Sequence, residues 1–404
     1  MLESKPRAIY LSPGDPTCSP RGGQTAFAIQ ALNALGSKLA LVAPCENPRE
    51  DAPIGQWRIM DWHGVKIWRF NIGSYAPENK SRRPLVPRRL ILRRRIAKYL
   101  PAIREIPTRN LICDSPEVLG VLKRYSWESF CYRFAGLNNP VEVSRYPYLR
   151  PLSGYFHHKM TRDLVALRPA ALLASADRET IARFAQENRR VLGQFPIHFF
   201  PTRYDPDVFY PGDSHVTSQA LGWQNFFPRI VLVGRLCWVK GWELALEIAR
   251  ILRQEFPRTL MTFIGDGEDR VALQRRIVQL GLTENVRLEG FLPPSETRKR
   301  IVAADVYLSA SYREGWSVAF TEALACGAVC VTTNVSGAMD LVDNNSAGRA
   351  LVGRDPKEFA RVITELVKDP AVMASLRSAA IAHASKFSSR SLAEDWGKIW
   401  NPLR

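Results

Sequence analysis

Two cations and two carboxylates in the second half of the sequence have the types and spacing to handle an anionic ligand that also carries hydroxyls. In GRLCWVKGWELALEIA, residues 234–249, an apolar run ends in glycine, a loop carries Arg235 and Lys240, and a helical pattern begins after Gly241. A guanidinium that can fork and a point-like ammonium at a strand end suit the oxygens of a diphosphate. In isolation, an Arg and a Lys on any surface loop would read the same way. In SYREGWSVAFTEALACGAVCVTT, residues 311–333, Glu314 and Glu322 stand eight apart. The turn Glu314-Gly315-Trp316-Ser317 should open a helix at about Val318, whose free backbone N–H groups would be ready for a phosphate. Glu322 then falls one turn inside that helix, so both carboxylates can face one pocket and accept hydrogen bonds from paired sugar hydroxyls. Gly22-Gly23, in the loop SPGDPTCSPRGGQTAFAIQALNALG (12–36), would let backbone approach a phosphate or an acceptor, although loop glycines are more often only turn residues.

Short apolar strands alternate with helix-length amphipathic stretches along the whole chain, the pattern of parallel sheets with helices on both faces. At 404 residues with 46% apolar content the chain exceeds the usual size of a single core, and two domains are expected. Strands are expected near 7–11, 38–43, 109–113, 127–134, 170–174 and 195–200, with a hairpin inserted at 54–70 around a His-Gly turn. The Pro- and Asp-rich stretch PTRYDPDVFYPGD (201–213) breaks both periodicities and marks the linker. Beyond it, strands at 229–234, 259–265, 285–289, 305–309 and 328–333 alternate with helices at 239–255 and 268–280. The tail after Pro370 reads as helical, with Trp396 and Trp400 on one face, suited either to crossing back onto the other domain or to capping its own.

The net charge of +17 attracts polyanions. KSRRPLVPRRLILRRRIAK (80–98) holds nine basic residues and no acidic one, interleaved with Leu85, Val86, Leu90, Ile91, Leu92 and Ile96. This is either a solvated helix face, a helix lying on anionic lipid headgroups, or a nucleic-acid contact; the absence of aromatic stacking residues and of any recognition module argues against nucleic acid. Seven scattered cysteines form no CxxC pair or zinc-like cluster, and Cys326 and Cys330, separated by Gly327, read as buried thiols. With no apolar signal core at MLESKPRAIYLSPG and no membrane-spanning run, the expected location is cytoplasmic, peripheral at the inner face of the membrane.

In order and spacing, GRLxxxKG (234–241), IGDGEDR (264–270), Glu289-Gly290-Phe291-Leu292, and the pair Glu314 and Glu322 leading into EALACG resemble the family-four (group 1) retaining nucleotide-sugar glycosyltransferases of the GT-B fold. The resemblance covers most of the chain and is strongest from about Ile230 to Leu351. It implies an α/β protein of two Rossmann-like doubly wound domains facing a central cleft, with acceptor-side residues 1–205, donor-binding residues 206–385 and a C-terminal helix, 386–404, packing back on the first domain. By the same resemblance Arg235 and Lys240 hold the donor diphosphate, Glu322 the ribose and Glu314 the transferred sugar. Gly22, Gly23, Gly315, Trp316, Ser317, Val318, Phe291 and Leu292 complete the donor site. The implied donor is a UDP- or GDP-sugar, with no cofactor and no metal. The implied acceptor is a glycan or lipid-linked glycan in surface polysaccharide or glycolipid assembly; a soluble or protein acceptor, or a catalytically silent sugar-nucleotide binder, are the alternatives. The first half departs from the family pattern. Ala135-Gly136 stand where relatives carry His-Gly, Thr202-Arg203 stand where Asn-Gly is usual, and His157 and His158 lie elsewhere, reading as helix-surface residues.

Overall fold

Runs such as AIYL, LALVA and NLIC in the first half, and RIVLV, LMTFI and VYLS in the second, have no polar face to give to water. They are also too short for helices, so they belong in parallel sheets covered on both sides. The computed structural model describes residues 5–15, 23–45, 53–73, 88–134, 151–174, 186, 195–335 and 337–400, and it divides the chain into two units, 1–202 with 390–404, and 203–389.

The first unit runs β1 (Ala8–Leu11), α1 (Gly23–Leu35), β2 (Leu39–Ala43), β3 (Trp57–Trp62), β4 (Val65–Asn71), α2 (Arg88–Ile103), β5 (Asn110–Cys113), α3 (Leu119–Leu122), β6 (Ser129–Phe134), α4 (Pro151–Ala166), β7 (Ala171–Ala174) and β8 (Ile197–Phe199). These strands form one eight-stranded sheet in the order β3-β4-β2-β1-β5-β6-β7-β8. Every neighbouring pair is parallel except β3 with β4. The expected hairpin is therefore the edge of the sheet, because β4 pairs with β2. His63 and Gly64 both take left-handed φ, as a two-residue hairpin turn requires.

The arginine-rich helix α2 spends its apolar stripe on its own unit: Leu92, Ile96, Leu100 and Ile103 are buried in the core with Ile9, Leu11 and Phe70. Arg95 donates to the Ile72 carbonyl at 2.7 Å, while Arg94 and Lys98 are exposed. Residues 80–87 of the basic segment lie outside the described residues.

The second unit runs α5 (Ser214–Ala220), β9 (Arg229–Val233), α6 (Trp242–Glu255), β10 (Leu260–Ile264), α7 (Arg270–Gln279), β11 (Val286–Gly290), α8 (Pro294–Ala303), β12 (Val306–Ser309), α9 (Val318–Ala325), β13 (Val329–Thr333), α10 (Ala338–Leu341), β14 (Gly348–Leu351), α11 (Pro356–Lys368) and α12 (Pro370–Ala384). Its six strands are all parallel, in the order β11-β10-β9-β12-β13-β14. Capping fixes the helix starts. Asp213, Ser317, Asp355 and Asp369 each accept a backbone N–H of the first turn of the helix that follows them, and Pro356 and Pro370 occupy first positions where their missing N–H costs nothing.

The last helix, α13 (Leu392–Ile399), returns to the first unit. Trp396 is fully buried with its ring 5.8 Å from Phe27 and 5.0 Å from Phe200, and Trp400 donates to Ser129 Oγ at 2.6 Å. Rings of this size bury roughly 150–250 Å² each, which makes the tail part of the core.

Two glycines set how closely loops approach in the second unit. Gly241 takes φ +66°, and a Cβ there would lie 1.8 Å from the Ala310 carbonyl oxygen; at Gly265 a Cβ would lie 2.0 Å from the Gly234 oxygen. Gly222 also takes a left-handed φ, +69°, but a Cβ there meets nothing within 4 Å. Gly222→Ala should cost only the left-handed strain, roughly 1–2 kcal/mol. Gly241→Ala should cost more than twice that, because a carbonyl must also move; equal urea midpoints for the two variants would refute the close-approach argument.

Candidate functional site

The second sheet reverses direction between β9 and β12: β10 and β11 lie on one side of β9, whereas the chain returns to place β12 on its other side. The crevice outside the carboxyl ends of strands at such a switch point is where open α/β sheets take ligands. Three loops leave the sheet there, after β9, β10 and β12, and they are fastened to one another through backbone. The Leu236 N–H donates to the Asp266 carbonyl at 3.1 Å, the Asp269 N–H to the Leu236 carbonyl at 3.0 Å and the Tyr312 N–H to the Val239 carbonyl at 2.7 Å. Trp242 Nε1 adds a 3.0 Å bond to the Asp269 carboxylate.

This scaffold brings four of the sequence-predicted residues to one pocket, where Gly234, Arg235, Lys240, Ser311, Glu314 and Ser317 are among the lining residues. Each cation is paired with a carboxylate. Lys240 Nζ bonds Glu314 Oε2, to which Ser311 Oγ also donates at 3.3 Å. Arg235 Nε donates to Glu268 Oε2 at 2.9 Å, with both side chains mostly exposed. Ser317 caps α9, its hydroxyl accepting the Phe320 N–H at 3.3 Å, so the helix starts at the expected Val318 beside the pocket. Gly315 lies in the turn before it, and Trp316 is buried with its ring edge on Phe387, centroids 4.9 Å apart.

Glu322 stands one turn inside α9 as expected, partly buried, but it is not among the residues lining this pocket. Burial, with a smaller contribution from the negative charge of Asp205, pushes its carboxyl up to about 7. Phe291 is half exposed just past β11, with Leu292 beside it. Gly23 begins α1 in the first unit. Gly22, Ala135 and Gly136 lie outside the described residues, as does the side chain of His157, while His158 is exposed on α4. Cys326 and Cys330 are buried free thiols.

Sequence reasoning missed several supporting residues. Tyr307, on β12, is buried beside the same pocket; burial above all, then Cys330, Glu314 and Glu322, raise its pKa against a hydrogen bond with Ser317. Arg354 reaches across from the segment after β14, donating to the Ala310 and Ser311 carbonyls at 2.9 Å each, and its guanidinium lies 3.5 Å from the Tyr312 ring centroid. It fixes the backbone just ahead of Glu314. The first unit gathers its own buried charges at the carboxyl edge of its sheet. Arg69 pairs with Asp15; Tyr10 Oη donates to Asp114 at 3.0 Å; Arg133 bonds Thr202 Oγ1 at 3.0 Å and covers the Phe27 ring. Burial lifts the Asp114 carboxyl to about 6 against the pull of Arg133. The available signal was a charged residue inside an otherwise apolar strand, as in VKIWRFN and SFCYRF.

Residues 215–386 match the family described as glycosyl transferases group 1. That match covers less than half of the chain and makes its second unit similar to the group 1 glycosyltransferases. A D-inositol 3-phosphate glycosyltransferase of Catenulispora acidiphila is 30% identical over 232 residues, 54% of this chain and 55% of that protein. The chain thus spans about half the length of the curated relatives it matches. Solved structures extend the likeness to nearly the whole chain. Sucrose-phosphate synthase from Thermosynechococcus elongatus superposes with a TM-score of 0.78 at 17% identity, covering 99% of each chain. HepE of Anabaena, crystallised with UDP-glucose, gives 0.69 at 18% identity, covering 97% of this chain and 98% of its own. The fold is GT-B, two units that each carry a largely parallel sheet.

The raised Glu322 carboxyl has a consequence for stability. A group whose pKa rises from 4.5 unfolded to about 7 folded holds its proton more tightly in the native state, so its contribution is full below pH 4.5 and is lost as pH rises through 7. The loss should be on the order of 3 kcal/mol, and Glu322→Gln should remove most of that slope. Urea denaturation of both proteins at pH 5 and pH 8 checks this: parallel losses in the two would contradict it.

Proposed function

We propose that this chain is a retaining, metal-independent glycosyltransferase moving a sugar from a UDP- or GDP-sugar to the hydroxyl of a glycan, the acceptor being a lipid-linked glycan of surface polysaccharide or glycolipid assembly. The observation that carries the reading is the convergence of Arg235, Lys240, Glu314 and the start of α9 at the switch point of the six-stranded sheet. Two cations and a helix N-terminus suit a diphosphate, and a carboxylate beside them suits sugar hydroxyls. The UDP-glucose bound in HepE supports a nucleotide-sugar donor.

Binding is then an exchange. The donor diphosphate displaces Glu268 from Arg235 and Glu314 from Lys240, and the freed Glu314 turns to the transferred sugar, while Glu322 takes the ribose. In the transfer, the bond from the anomeric carbon to the leaving phosphate oxygen breaks as the acceptor oxygen bonds on the same face, and the acceptor proton passes to that phosphate oxygen. Configuration is retained. Freed from their glutamates by the bound donor, Arg235 and Lys240 join the α9 amides in stabilising the charge that grows on the diphosphate. The first unit would hold the acceptor.

The membrane part of the reading rests on charge. No helix among the described residues is long and apolar enough to cross a membrane, and the stripe of α2 is already buried. Arg94 and Lys98 remain exposed for lipid headgroups, each worth about 1 kcal/mol near an anionic surface.

Transfer from a pool of labelled UDP- and GDP-sugars tests the proposal. Lys240→Ala and Glu322→Ala should each lower donor hydrolysis and transfer by at least about 10²-fold, the usual effect of removing one stabilising group. Full activity in either variant, or inversion at the anomeric carbon seen by NMR, would defeat it. Separately, vesicles containing anionic lipid should retain the protein at low salt and release it at high salt, with Arg94→Glu and Lys98→Glu weakening retention. Failure to bind at low salt would point instead to a soluble or protein acceptor.

A further inference from the structure

At the end of the six-stranded sheet opposite Lys240, the starts of β9 and β12 are pinned by one forked ion pair. Arg229 donates from Nε and Nη2 to the two Asp305 oxygens at 3.0 and 2.8 Å, and its backbone N–H adds a third bond at 2.8 Å. Asp305 is therefore already engaged. The neighbouring Arg377, on α12, feels its charge but makes no hydrogen bond or ion pair among the described residues. Its half-buried position pulls its pKa down, against the support of Asp305 and with the positive charge of Arg229 adding to the fall. This guanidinium is under-compensated where it stands.

Arg377 opens onto a depression of about 250 Å³, also lined by Phe227, Asp305, Val367, Pro370, Met373 and Ala374. Asp305 is neutralised there by its fork with Arg229, which leaves the charge of Arg377 in excess, and the other walls are apolar. The Phe227 ring is 45% exposed yet held in place, edge-on to Phe256 with centroids 5.7 Å apart. A half-buried Arg fork selects a planar or tetrahedral anion, and a fixed aromatic wall selects an apolar body attached to it. An apolar cavity of roughly 150 Å³ is enough for one benzene ring, so this volume suits a ring or short chain plus its acid group.

We propose that this depression binds a small apolar carboxylate, an aromatic or short aliphatic acid whose carboxylate forks onto Arg377 and whose body lies on Phe227, Val367 and Met373. The site shares no residue with the donor pocket, so it stands or falls independently of the proposed transfer reaction.

Calorimetric titration of the full chain with phenylacetate, hexanoate, phenylacetamide and phenyl phosphate tests it. Phenylacetate and hexanoate should bind at one site, and the neutral amide about tenfold more weakly or not at all, since a charge-assisted hydrogen bond is worth one decade or more. Arg377→Gln should weaken phenylacetate by a similar factor. Ala374→Trp, which fills the depression from an exposed position, should abolish binding even if the arginine variant does not fold, and Lys240→Ala should leave it unchanged. No binding up to about 10 mM, a bound below which affinity would be negligible, would overturn the proposal. So would equal binding of the amide, or indifference to Ala374→Trp. Phenyl phosphate binding tighter than phenylacetate would overturn the carboxylate assignment in favour of a phosphate monoester.

Discussion

Backbone lies directly on backbone where the loops after β9, β10 and β12 meet, and the rest of the pocket's geometry depends on that contact. The Ala310 oxygen occupies the space a Cβ would take at Gly241, and the Gly234 oxygen does the same at Gly265. Any side chain at these positions would force the loops apart. Because they are not apart, Arg235 and Lys240 leave a strand end whose carbonyls and amides are satisfied by the neighbouring loops, and α6 can begin immediately after Gly241. Arg354 extends the same logic from the far side of the sheet, tying the Ala310 and Ser311 carbonyls. The side chains of the pocket can move while their roots cannot, and that fixed origin is what an electrostatically preorganised site needs.

Charge in the pocket is arranged for exchange rather than for permanent pairing. Lys240 and Glu314 are partly exposed, and Arg235 and Glu268 mostly so, which makes each pair weak in water and replaceable by a ligand with a higher anionic charge. Glu322 is treated differently. Its surroundings disfavour the charged form, and Asp205 disfavours it further. A carboxyl poised near neutrality can keep its proton and donate, or lose it and accept, according to what hydroxyls are brought to it.

Much of this was legible in the sequence, for local reasons. β9, β10, β12 and β13 are runs of apolar residues bounded by glycine or polar turns, and the first residue of α9 followed from the turn Glu314-Gly315-Trp316-Ser317 before an apolar helix. The contact between Lys240 and Glu314 was legible only as residence in one pocket, since 74 positions separate them. Three things were not legible. Arg354, Tyr307 and Asp205 act across strands or loops whose order in the sheet is a property of the whole unit and leaves no local mark. β14 is a short strand with an arginine in it and carries no clear period. The basic helix α2 shows the limit of amphipathicity as a signal: Leu92, Ile96 and Leu100 fit a lipid surface and a protein core equally well, and the core has them. In the first unit, Arg69 and Arg133 sit among apolar strand residues, and a charged residue in such a strand does not say which partner redeems it.

The two ends of the six-stranded sheet differ in what they offer an anion. At the carboxyl edge the helices α6 and α9 both begin, so unsatisfied N–H groups and the positive ends of two helix dipoles point toward the same space. An anion is favoured there before any side chain is considered, and Arg235 and Lys240 add mobile charge to a field that the backbone already supplies. At the amino edge Arg229 is committed to Asp305 by three bonds, and that pair serves to close the sheet rather than to receive a ligand. Parallel strand direction, fixed by the apolar runs and the helices between them, thus decides which edge is electropositive through its own backbone. The glycines then decide whether a ligand can come close enough to use it.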